Sequence, residues 1–109
     1  MIDSRKLDRL IVVERKSDTV DDFGTPIEGW SPVTTLRAQR LENGSREFVR
    51  SYGVAEEGSA VFRIRYVAGI TTTDRVLFDG EPFDLVEIVE LGRRQGLDLR
   101  VKSQREAAP

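Results

Sequence analysis

Acidic side chains are the residues whose crowding could do chemistry. Asp79, Glu81 and Asp84 flank one turn, and Asp18, Asp21 and Asp22 crowd a second stretch. Carboxylates so placed could ligate a hard cation through oxygen. Two of them at a suitable separation could cleave a glycosidic bond. The spacing fits no EF-hand loop, and nothing selects one pair among the nineteen Asp and Glu. The chain contains no His and no Cys. Serine–histidine and cysteine–histidine nucleophiles, thiolate metal sites and disulfides are thereby excluded. Solvated turns account for both acidic groups. The expectation is a protein without catalytic residues, metal or cofactor.

Nucleic-acid binding is the next chemistry to weigh. Small barrels bind single strands with a basic groove and stacked aromatics. Arg63, Arg65 and Tyr66 lie on one stretch and could imitate such a groove. The chain has only eight aromatics, however, and Phe62, Ile64 and Tyr66 are needed for a core. Net charge is −2, so no whole-chain polycation is present. The charges are instead segregated. Residues 74–90 carry six acids against Arg75, whereas 91–106 carry Arg93, Arg94, Arg100, Lys102 and Arg105 against Asp98 and Glu106. Fourteen of the seventeen bases are Arg, whose planar fork suits interfaces. Solvated strand faces explain this, and so would complementary edges that meet between identical subunits.

The elements that must position these residues are short strands. One domain is expected from 109 residues, spanning 1–109. Residues 8–15 and 33–41 read as strands, with a polar loop expected to be mobile at 16–29 between them. Residues 60–67 alternate, with Phe62, Ile64 and Tyr66 on one face and Arg63 and Arg65 on the other. Residues 75–78 form a short strand, and Asp79-Gly80 is a strong hairpin signal. Residues 83–91 change phase midway, as a bulge would make them. Gly92 to Gly96 turn the chain into a half-buried strand at 97–102, and 104–109 read as a frayed tail.

Residues 42–59 are open to two readings. Ser45 could cap a short helix with Glu47 in its first turn and Gly53 beyond its end. Phe48 and Tyr52 would then share a face. An extended, mobile loop fits equally. The fold class expected is all-β: a six- to seven-stranded antiparallel barrel or sandwich with at most one short helix. No apolar run approaches the ~20 residues of a membrane span. The N-terminus lacks a secretory apolar region, so synthesis in a cytoplasm is expected.

In this order the segments resemble the head-tail joining (head closure) proteins of tailed bacteriophages and the connectors of gene transfer agents. The resemblance rests on Ile11–Arg15, Asp22-Phe-Gly24, Trp30 and Leu36-Arg-Ala-Gln39, then Gly44–Glu47 and Phe62–Tyr66. It continues through Asp74-Arg75, Phe83–Ile88, Arg93-Arg94 and Leu97-Asp-Leu99. The acidic first loop departs from the pattern. The resemblance implies a virion protein at the portal vertex, assembled in the bacterial cytoplasm as a twelvefold ring below the portal and its adaptor. It implies contacts with adaptor and tail proteins. It also implies a loop that projects into the channel and retains packaged double-stranded DNA by steric contact. That loop corresponds here to 42–59, with Ser45, Arg46, Glu47, Phe48, Arg50, Tyr52, Glu56 and Glu57. Arg63, Arg65, Arg93, Arg94, Asp79 and Glu81 are the candidate ring contacts. A cytoplasmic small-barrel interaction or nucleic-acid-binding module is the alternative.

Overall fold

In the computed structural model residues 4–42, 45–53 and 58–104 are described. After a 3-10 turn at Ser4–Lys6 come β1 (Arg9–Val20), β2 (Pro26–Leu41), α1 (Arg46–Tyr52), β3 (Ser59–Arg65), β4 (Arg75–Phe78), β5 (Glu81–Leu91) and β6 (Gly96–Ser103). The described strands close an antiparallel barrel in the order β1-β2-β3-β6-β5-β4, β4 returning to β1. An all-β barrel with one short helix is therefore what the sequence builds.

Alternation decides what fills it. Ile11, Ala38, Phe62, Ile64, Val76, Leu85, Leu99 and Val101 point inward and are buried. The Phe62 ring sits centrally, with its centroid 5.2 Å from that of Phe78 and 6.3 Å from that of Phe83. The expected phase change in β5 is a register shift between Leu85 and Glu87. It keeps Leu85 inside and returns Ile88 to the core. Asp79 and Gly80 both have positive φ, 52° and 75°, as a two-residue type I′ hairpin turn demands.

The expected loop at 16–29 is corrected. Its flanks are strand, because β1 runs on to Val20 and β2 begins at Pro26, paired from Ser17↔Gly29 to Val20↔Pro26. Only 21–25 turn. The Asp21 carboxylate accepts the N–H groups of Phe23 and Thr25, both at 2.9 Å, and so fastens the turn. A polar composition hid the strands because this ribbon has no buried face to impose apolar alternation. Strand β1 meets β4 only at Val12–Glu14, and β2 meets β3 only at Ala38–Leu41. The two-stranded ribbon beyond Glu14 therefore stands clear of the barrel. It leaves at a bulge where Val13 pairs with Thr34 and Glu14 with Pro32. The radius of gyration, 15.3 Å, exceeds the ~13 Å of a compact domain this size, as a projecting arm requires.

Ion pairs fasten the arm's base. Arg15 Nε donates to Asp74 Oδ1 at 2.9 Å, and its Nη2 reaches Asp74 Oδ2 at 3.1 Å and the Gly69 carbonyl at 2.7 Å. Asp74 is buried and also accepts the Thr71 N–H. Arg75 donates to Glu14 at 2.9 Å while its guanidinium lies 4.3 Å from the centre of the Trp30 ring. The bond from Arg15, with help from the Thr71 N–H, holds the Asp74 carboxyl below its ordinary 3.8. A carboxyl depressed in the folded state stabilises it fully above about pH 4, and the effect is lost as pH falls through the folded value. Asp74→Asn is expected to cost about 2 kcal/mol at pH 7. The gap between variant and parent should shrink toward pH 3, as urea melts at the two pH values would show.

Candidate assembly surfaces

Helix α1 is the helical reading of the ambiguous segment. Ser45 caps it, its hydroxyl accepting the Phe48 N–H at 3.1 Å, and Gly53 ends it with φ 75°. Seven residues make a marginal helix in water, so packing must hold it. Phe48 is buried against Leu41 and Val61 on the outer wall of the barrel, and Tyr52 packs beside them. The Phe48 and Tyr52 rings are 5.7 Å apart.

Beneath the helix lies an ionic knot. Asp98 is 1% exposed. Arg63 grips it with both Nε, at 2.8 Å, and Nη2, at 3.0 Å. The Tyr52 hydroxyl donates to the same carboxylate at 2.5 Å. Arg63 Nη1 donates to Glu47 on the helix's outer side. The hydrogen bond to Asp98 raises the Arg63 guanidinium further above neutrality. Burial, then the bond to Asp98, pushes the Tyr52 phenol above its ordinary 10. Arg63 and Tyr52 therefore both keep their protons at neutral pH. Beside the knot Arg100 donates to Glu87 at 2.6 Å, with its guanidinium 5.4 Å from the Tyr52 ring centre.

The sequence-derived candidates fall into three sets. Of the residues expected in a projecting loop, Ser45 caps α1 and Glu47, Phe48 and Tyr52 fasten it to the barrel, so 45–53 is a docked helix rather than an extended loop. Arg46 and Arg50 face outward from it, exposed. Glu56 and Glu57 lie outside the described residues. Arg63, placed among surface contacts, is half-buried in the knot. Arg65, Arg93 and Arg94 are exposed, Arg94 with its guanidinium 5.8 Å from the Tyr66 ring centre. Asp79 is exposed and Glu81 half-buried on the β4–β5 turn.

Two buried acids escaped the sequence reading. Asp98 alternates with apolar neighbours and so looked solvated, but α1 roofs that face. The clue was Ala60-Val61-Phe62, three apolar residues in a row, which signals a strand covered on both sides. Asp74 looked like one member of an acidic run. Among the described residues no three acids converge as metal ligands would. Asp84 instead accepts from the Gln104 amide at 2.6 Å. Phe62 and Ile64 are fully buried, so they offer no stacking platform.

The model of the phage head completion protein family matches residues 2–104. The chain belongs to that family. It is thereby a structural, head-associated component of a phage-type virion. No protein of curated function matches the sequence. Its fold is similar to the solution structure of protein SF1141 from Shigella flexneri 2a, at 21% identity and a TM-score of 0.74 over 97% of this chain and 100% of that one. It is also similar to a chain of the virion of a native gene transfer agent particle, at 17% identity and a TM-score of 0.60, covering 92% and 96%. At these identities the likeness concerns the fold.

The knot yields an energetic test. Arg63→Ala should cost about 3 kcal/mol, because Asp98 would stay buried without its cation. Tyr52→Phe should cost about 1.5 kcal/mol. Adding Asp98→Ala to Arg63→Ala should recover part of the loss, a coupling that chemical denaturation of the four chains of the cycle would measure.

Proposed function

We propose that this chain is a head closure connector. Copies form a ring, of twelvefold symmetry in this reading, below the portal and its adaptor. The ring offers the surface on which the tail attaches and keeps packaged double-stranded DNA inside. The observation that carries the reading is the coincidence of a family match over residues 2–104 with a closed antiparallel barrel. The protein's work is then shape and assembly rather than catalysis. Identical subunits in a ring meet through two unlike patches. The exposed Arg65, Arg93 and Arg94 and the acidic turn at Asp79 and Glu81 supply charges of opposite sign for such contacts.

The segment 42–59 is the proposed channel element. Its exposed Arg46 and Arg50 are balanced by Glu47, Glu56 and Glu57, so it obstructs DNA more than it grips it. Because α1 is docked, its removal would uncover Leu41 and Val61. The test therefore replaces 45–57 with a short Gly-Ser link and changes those two residues to Thr. Circular dichroism should still report a folded barrel, while particles should lose packaged DNA. Full retention would remove the channel role.

The larger reading has its own test. Cells lacking this chain should accumulate tail-less heads that have lost their packaged DNA, and expressing the chain in those cells should restore filled, tailed particles. Normal tailed particles formed without it would refute the connector assignment.

A further inference from the structure

The arm ends in an apolar knob that none of the described residues covers. Phe23 is 92% exposed, Val20 66% and Ile27 46%. An aromatic side chain so fully in water is a poor surface residue and a good interface anchor. The turn beneath it is already fixed by the Asp21 carboxylate, so little ordering would be lost on docking. Asp22, exposed beside Phe23, gives the knob a negative rim.

A matching feature lies at the other end of the same hairpin. Leu7, Asp8, Arg9, Leu10 and Arg37 line a shallow cleft of about 210 Å³. That is smaller than the ~300 Å³ at which small-molecule pockets begin, but suits a single inserted side chain. Leu10 is 63% exposed, and Arg37, its partner in register, is exposed too. Arg9 and Arg37 outweigh Asp8, which lies 3.8 Å from Arg9, so the cleft is apolar with a net positive rim. Ten residues of strand separate Leu10 from Val20, about 33 Å at the rise of a β-strand. A stiff ribbon cannot fold back over that distance, so knob and cleft of one molecule never meet.

We propose that Phe23 of one copy seats in the Leu7–Leu10 cleft of a second copy, with Asp22 facing Arg9 and Arg37. Knob into cleft is a heterologous contact, which repeats from copy to copy and closes where the rotation divides the circle. The inference rests on the ring reading above and names the contact that builds the ring.

The natural chain has no Cys, so engineered thiols report without background. Thr25→Cys on the knob and Asp8→Cys at the cleft leave Phe23 and Leu10 in place. Mild oxidation of particles carrying both should give a disulfide-linked ladder of this chain. Adding Phe23→Ser should lower the linked fraction about tenfold or more, the effect of withdrawing one buried phenylalanine. Independently, Asp22→Arg should deplete particles of the chain, and Arg37→Asp in the same chain should restore it. Particles that hold the chain but yield only monomers, or adducts with a different virion protein, overturn the docking and leave the connector role standing. So does a failure of Arg37→Asp to rescue. Absence of the unmodified chain from particles removes the virion reading and the docking together.

Discussion

Closure of the barrel hangs on its shortest ladder. Strands β1 and β4 share only three register pairs, Val12–Glu14 with Arg75–Leu77. An unclosed sheet would present two edges to solvent, each a template for unwanted pairing. Three pairs of backbone groups are a weak seam, and the sequence reinforces it with side chains at one end. Glu14 and Arg75 face each other across the seam, and Arg15 reaches past its end to the buried Asp74. The Trp30 ring carries the Arg75 guanidinium from the β2 side. The same residues fix the direction in which the ribbon leaves. Barrel closure and arm placement are thus one interaction set, and loosening one would loosen the other.

The helix obeys a comparable logic on the opposite wall. A seven-residue helix contributes little by itself. It is held by one apolar contact, Phe48 on Leu41 and Val61, and by one ionic knot around Asp98. The knot has a cost, since its acid is out of water, but it is specific. The Arg63 fork and the Tyr52 hydroxyl fit Asp98 in one helix position only. An all-apolar contact would let so short a helix slide.

The barrel was legible in the sequence wherever one face is buried and the other wet. Phe62-Arg-Ile-Arg and Leu97-Asp-Leu-Arg-Val state their period outright, and Asp79-Gly80 states its turn. The helix caps, Ser45 and Gly53, were legible too, but not decisive, because Phe48, Arg50 and Tyr52 suit either period. What stayed hidden had a physical reason. The ribbon at 15–20 and 26–32 buries neither face in the barrel, so no alternation marks it as strand. Asp98 obeys the alternation of its strand, yet its outer face is covered by an element 46 residues away from it in sequence. Pairings such as Arg15 with Asp74 join residues 59 apart and leave no local trace.

The distribution of exposed apolar residues bears on what kind of object this is. A monomer that works alone hides such residues or scatters them singly. Here Phe23, Val20 and Ile27 gather at the tip of an arm, and Leu10 stands at its root. The arm's stiffness comes from its clamped base, and its tip is set by Asp21, so neither end relies on a partner for its shape. What the isolated chain lacks is cover for those side chains. Under the docking proposed above, a neighbouring copy supplies that cover once per subunit. The clamp of Arg15 on Asp74 therefore has a consequence beyond stability, because it sets the angle at which the arm leaves the barrel and presents its apolar tip.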